Sequence, residues 1–182
     1  MKKPVLRRPR RIVTGHDAQG RSVFLQDGAA PNLIQPEHSP NVGMFNLWRL
    51  MSIPASNAGD DDAAPADDTI TLAPPPGGLT FRIMEFPPDI ERNYTAQAEV
   101  FKTYGNAEAL THGDQRHPGF HKTQSVDFAI VLEGEIWALM DVGEELMQAG
   151  DVLIQRGTNH AWANRSTKPA RVAFILISAV PL

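Results

Sequence analysis

Residues 125–178 read SVDFAIVL EG EIWALM DVG EELMQ AGD VLIQ RGTN HAWANRSTKP ARVAFILIS. Short runs rich in Val, Ile, Leu, Phe and Trp are cut by turns that carry Gly134, Gly143, Gly150 and Gly157. β-Branched and aromatic side chains suit a pleated surface, and glycine beside Asp or Asn supplies the turns. No helical run lies between them. Strands this short and regular predict an antiparallel sheet that is closed or sandwiched, and so an all-β jelly roll or small barrel.

Working outward, residues 79–86, LTFRIMEF, alternate and stop at Pro87 and Pro88, which predicts a further strand. Residues 94–110 carry a weak helical pattern through Ala98, Phe101 and Tyr104, broken at Gly105. Residues 54–78, PASNAGDDDAAPADDTITLAPPPGG, are acidic and rich in Pro and Ala. Such a stretch cannot bury enough surface to offset its ordering, so a mobile surface loop is expected, loosest over 55–76. Residues 42–53 read as an extended or edge segment, and 11–27 as a hairpin turning at Gly20. The expected organisation is one structural domain. In it, 1–53 form an N-terminal arm and strands that pack on the barrel or on a partner, 54–78 the loop, and 79–182 the barrel.

The chain has 182 residues, 42% hydrophobic and 21% charged, as in ordinary soluble domains. No apolar run approaches a membrane span, and the basic start lacks an apolar stretch behind it, so the cytoplasm is expected. The absence of cysteine excludes disulfides and thiolate metal sites. The net charge of -4 hides six Lys and Arg within residues 1–11 and five Asp within 54–78. The basic arm has no aromatic residue to stack on bases and no recognition helix behind it, which argues against nucleic acid.

One strand residue is out of place. In 125–132, Val126, Phe128, Ile130 and Leu132 share one face, and Asp127, Ala129 and Val131 the other. A carboxylate in a strand apolar on both faces must be paired, protonated, hydrogen-bonded or metal-bound. His121 lies six residues earlier, an even spacing that puts it, Thr123 and Asp127 on one face. His160 opens the run HAWAN, with Trp162 on its face and Asn164 placed to cap a turn through backbone groups. If these strands meet across the interior, two imidazoles and a carboxylate converge, which is a metal-site inventory. Arg171, opening the last strand, suits either a substrate carboxylate or a surface ion pair. Arg82 on the upstream strand has the same two readings. His117 precedes Pro118 and Gly119 and reads as a loop residue that could replace a ligand. His112 and His16 read as solvated.

The runs His121–Gly134 and Gly150–Asn164 resemble the two conserved motifs of the cupin superfamily. Asp127 takes the place of the first motif's glutamate, seven residues before Gly134. His121 and Thr123 take the places of its two histidines. Gly150, Gly157, His160 and Asn164 match the second motif, with Arg156 where proline is usual and a turn one residue shorter. The resemblance covers about residues 117–179. It implies a double-stranded β-helix barrel and one divalent first-row ion (Fe, Mn, Zn or Ni) held by His121, Asp127 and His160. Thr123 stands where a fourth ligand is usual, and Thr123, Trp162 and Arg171 would line the substrate pocket. It also implies a homodimer through edge strands near the N-terminus. The expected function is a small metal-dependent enzyme acting on an oxygenated small organic molecule, of oxygenase, isomerase, lyase or decarboxylase type. The alternative is a metal-free cupin that binds a small ligand or protein partner without catalysis.

Overall fold

The computed structural model describes residues 6–111 and 116–181. Its strands are β1 (Arg10–His16), β2 (Ser22–Ala29), β3 (Asn32–Ile34), β4 (Gly43–Leu50), β5 (Leu79–Phe86), β6 (Ser125–Glu133), β7 (Glu135–Met140), β8 (Glu144–Gln148), β9 (Val152–Arg156), β10 (His160–Ala163) and β11 (Ala170–Ser178). One short helix, α1 (Gln97–Thr103), follows β5. The fold is all-β with little helix, as the turn pattern predicts. Every pairing is antiparallel.

A six-stranded sheet has the order β3-β4-β5-β11-β6-β9, and a three-stranded sheet the order β10-β7-β8. Side chains of both sheets meet in one core: Phe86, Ala129, Val131, Val172, Phe174 and Leu176 from the first, Ile136, Ala138, Met147 and Trp162 from the second. These positions alternate along their strands, so the two-residue period of the sequence becomes the inner wall of the barrel. Gly134, with φ of 76°, makes the β6–β7 turn, and a Cβ there would come within 2.8 Å of the Pro169 carbonyl oxygen. Only glycine meets both demands without strain.

Two expectations change. Residues 42–53 do not form an edge, because β3, a three-residue strand between Pro31 and Pro36, adds outside β4. β6 is also not buried on both faces. Ser125, Asp127, Ala129 and Val131 are buried, whereas Val126, Phe128 and Ile130 are half-exposed and Leu132 is exposed. Asp127 therefore belongs to the inner face.

The N-terminal arginines are engaged within the chain. Arg7 pairs with Glu133 and Arg10 with Asp27, Arg8 donates to the carbonyls of Ala30 and Pro31, and Arg11 grips Asp62 at 2.5 and 2.8 Å. Arg49 holds Asp68, and Asn32 donates to the carbonyls of Pro65 and Asp68. The acidic stretch thus falls into two parts. Residues 51–61 are exposed throughout, whereas Ala64, Ile70 and Leu72 are buried. Limited proteolysis with subtilisin is expected to cut within 51–61 and spare 62–72. Even cleavage through 62–72 would show that these anchors do not hold in solution. Among the described residues no helix is long and apolar enough to cross a membrane.

Candidate functional site

A cavity of about 60 Å³ opens inside the barrel, room for a few water molecules. His121, Thr123, Asp127, His160 and Trp162 all line it. Of the residues assigned to the site from sequence, these five are brought together. His112 lies outside the described residues.

His121 arrives by a route the spacing did not anticipate. β6 begins at Ser125, so His121 is not part of it. The chain still alternates back from Asp127 through the buried Ser125 and Thr123, and His121 forms an isolated bridge to His160. The two residues exchange backbone bonds, His121 N–H to His160 O at 2.8 Å and His160 N–H to His121 O at 3.0 Å. Their rings lie 4.2 Å apart, centroid to centroid. Each ring is oriented by a carbonyl two residues back: His121 Nδ1 donates to Gly119 O at 2.8 Å, and His160 Nδ1 to Thr158 O at 3.0 Å. A carbonyl can only accept, so both protons sit on Nδ1 and both Nε2 atoms keep a lone pair.

Burial keeps these rings neutral. It pushes His121 down to about 4, and His160 well below its ordinary value with the neighbouring His121 adding to the effect. His117 also lines the cavity but is fully committed. Gly119 N–H donates to its Nδ1 at 3.0 Å, so its Nε2 donates to Tyr94 Oη at 2.9 Å, and Tyr94 in turn donates to Asp89 at 2.6 Å. It is pushed down to about 4, again chiefly by burial.

Asp127 Oδ2 accepts from Gln155 Nε2 at 3.0 Å, the residue opposite it on β9, while Oδ1 is buried with no hydrogen-bond partner among the described residues. Burial pushes Asp127 up to about 6, opposed by Ser125 and by the charge of Arg82. Ser125 Oγ donates to Thr123 Oγ1 at 2.9 Å. Trp162 packs edge-on between His160 and Phe174.

Arg171 is not in the cavity. On β11, Val172, Phe174 and Leu176 face the core, so Arg171 and Ala173 face the other side of the sheet. That face carries a second apolar cluster, in which Phe45, Leu47, Ile83 and Ala173 of the sheet itself pack with Ala30 and the partly buried Leu6. Arg171 sits over the Phe45 ring and 3.8 Å from Glu85, an ion pair that is buried rather than at the surface as expected. The cavity arginines are Arg82, whose other reading was open, and Arg92, which the sequence did not single out.

The donor set fits a metal in part. His121 and His160 offer two oriented, neutral imidazoles, the form a metal takes up. Among the described residues, however, no three His, Asp or Glu side chains are gathered so as to hold an ion. Asp127, the expected third ligand, is instead tied to Gln155.

These groups fix a response to acid. The unfolded chain takes up protons on His117, His121 and His160 near pH 6.5, but the folded chain resists until about 4 at His117 and His121, and until well below 6.5 at His160. Each therefore loses stability as pH falls through that window. Asp127 acts oppositely, since the folded chain binds its proton first, from about 6 downward. Three sites outweigh one. The melting temperature of chelator-treated protein should drop by several degrees from pH 7 to pH 5, and ¹⁵N spectra should show these three rings neutral at pH 5. Titration of all three near 6.5 would contradict this account.

Comparison with known proteins places these features in context. A sequence-family profile described as Cupin domain matches residues 108–177. "Phomopsin biosynthesis cluster protein C'" of Diaporthe leptostromiformis is 31% identical over 185 residues, 98% of this chain and 83% of that protein. "Oryzines biosynthesis cluster protein J" of Aspergillus oryzae is 32% identical over 179 residues, 94% of this chain and 84% of that protein. "Cupin-domain-containing oxidoreductase virC" of Hypocrea virens is 27% identical over 186 residues, 98% of this chain and 80% of that protein.

Proposed function

The chain belongs to the cupin superfamily, and we propose that it is an enzyme acting on a small oxygenated organic molecule inside the barrel, with His121 and His160 at the reacting end. The observation that carries this is the imidazole pair: two rings 4.2 Å apart that line the cavity, each locked by an Nδ1 bond that leaves a lone pair on Nε2. Structure alone does not require such an arrangement, since two neutral acceptors side by side in a buried site call for a proton donor or a cation. Relatives named as oxidoreductases make oxidation or reduction the first reaction class to test. The chain's own groups do three things. His121 and His160, neutral at neutral pH, can each accept a hydrogen bond at Nε2 from a bound hydroxyl and so orient it. Asp127 Oδ1 can accept a hydrogen bond from substrate. The apolar wall of Met84, Phe86, Phe174 and Leu176 excludes water.

A divalent first-row ion would be held by His121 and His160 through Nε2, with Asp127 as the third candidate. When bound it would supply Lewis acidity toward a substrate carbonyl or carboxylate. Elemental analysis of untagged protein after incubation with iron, manganese, zinc or nickel is the test. About one ion per chain, lost in His160→Ala, supports metal dependence. No stoichiometric ion, together with no turnover of small oxygenated substrates, supports the second reading, a metal-free binding module. One observation favours that reading, the engagement of Asp127 with Gln155 away from the histidines.

We assign the contact with a second copy to the β1–β2 hairpin, which forms its own sheet and exposes Ile12 and Phe24. Sedimentation should give a dimer, and Phe24→Asp should give a monomer.

A further inference from the structure

Arg82 is 1% exposed, lines the cavity, and among the described residues forms no ion pair with a carboxylate. Its two terminal nitrogens donate to Met44 Sδ at 3.1 Å and to Thr71 O at 2.7 Å, and its Nε has no partner among the described residues. Arg171 and Arg92 also have an Nε without a hydrogen-bond partner among the described residues, but each has a carboxylate nearby: Arg171 has Glu85 at 3.8 Å, and Arg92 has Asp89 at 3.8 Å and lies over the Tyr94 ring.

The sheet register explains why Arg82 is alone. Arg82 on β5 pairs with Phe174 on β11, whereas Asp127 on β6 pairs with Leu176. One whole strand and two residues of register separate the two backbones, and two strand spacings are about 10 Å. Among the described residues Asp127 bonds Gln155 and not Arg82, so it tempers the guanidinium charge through space alone. A guanidinium taken out of water without a paired anion is costly, and an apolar side chain would fill the same inner-wall position at no such cost.

We propose that Arg82 anchors a carboxylate on the cavity's ligand, so that the molecule this chain takes is a short organic acid with an apolar body. Three guanidinium N–H groups remain uncommitted, including the one on Nε, and a guanidinium fork matches a carboxylate. The walls beside it, Met84, Phe86, Trp162, Phe174 and Leu176, receive the rest of the molecule. This rests on the reading of the cavity as the substrate site.

The test compares two isosteric probes, propionate and propionamide, titrated at constant ionic strength and followed on the Trp162 indole N–H resonance. Propionate is expected to bind at least tenfold more tightly than propionamide. In Arg82→Met the propionate affinity is expected to fall at least tenfold and the propionamide affinity to stay. The wild-type comparison stands even if that variant does not fold. Equal binding of the two probes overturns the anchor and leaves the cavity as the ligand site. Tighter binding of inorganic phosphate than of propionate overturns the carboxylate. No shift with any probe overturns both the anchor and the cavity reading.

Discussion

The His160→Ala protein is expected to stay folded, to lose turnover by roughly 10²–10⁴-fold, and to lose stoichiometric first-row metal if the wild type binds it. The fold should survive because the bridge between His121 and His160 is made by backbone atoms, N–H to O in both directions, and alanine keeps those bonds. What disappears is one Nε2 lone pair and the bond from Nδ1 to Thr158 O. His121→Ala should match it, since the rings act as a pair, and the double variant should lose little more than either single one. His117→Ala is the control. Its ring also lines the cavity, but both nitrogens are engaged by Gly119 and Tyr94, so it should lower stability and leave metal content intact. Turnover that survives in both His121→Ala and His160→Ala would remove the imidazole pair from the chemistry.

The barrel was legible because its punctuation is chemical. The glycines after each run, with Gly134 at φ 76° and Gly150 at φ 100°, take conformations that other residues avoid, and two-residue alternation between them names the inner wall. The site was legible in its membership. Even spacing from Asp127 put Thr123 and His121 on the right face, although the strand ends at Ser125 and a bridge to His160 takes over.

Other features depend on which strands become neighbours. Asp127 meets Gln155 because β9 pairs with β6 in one register, which no local pattern reveals. Arg82 and Arg171 read alike in sequence, each an arginine in a largely apolar strand. Arg82 faces the barrel interior, while Arg171 lies on the opposite face of the sheet, beside Phe45 and Glu85. Residues 42–53 read as extended or edge; β4 is extended but not an edge, since β3, too short and too closely flanked by proline to read as a strand, adds outside it.

Asn164→Ala is expected to cost about 3–5 kcal/mol of stability, a large share of the roughly 5–15 kcal/mol that holds a domain together. Asn164 is fully buried. Its Nδ2 donates to Phe86 O at 2.9 Å and Lys168 O at 2.8 Å, and its Oδ1 accepts from Ser166 N at 3.0 Å and Ser166 Oγ at 2.7 Å. Both amide protons and both lone pairs are used, so one side chain ties the end of β5 to the β10–β11 turn. Its backbone completes the tie by exchanging bonds with Asp89, from Asn164 N to Asp89 Oδ1 and from Asp89 N to Asn164 O. Alanine would take this partner from the buried Phe86 carbonyl and the Ser166 N–H and leave a cavity at a fully buried position, while Lys168 O keeps the bond from Ser166 Oγ. Asn164→Asp sharpens the test. It keeps the acceptor for Ser166 but sets a carboxylate oxygen against the Phe86 and Lys168 carbonyls, so at neutral pH it should destabilise at least as much as alanine despite its closer shape. Urea unfolding with an unchanged m-value measures both. A loss below about 1 kcal/mol in Asn164→Ala, or an Asn164→Asp protein as stable as wild type, would mean that the turn holds without this side chain.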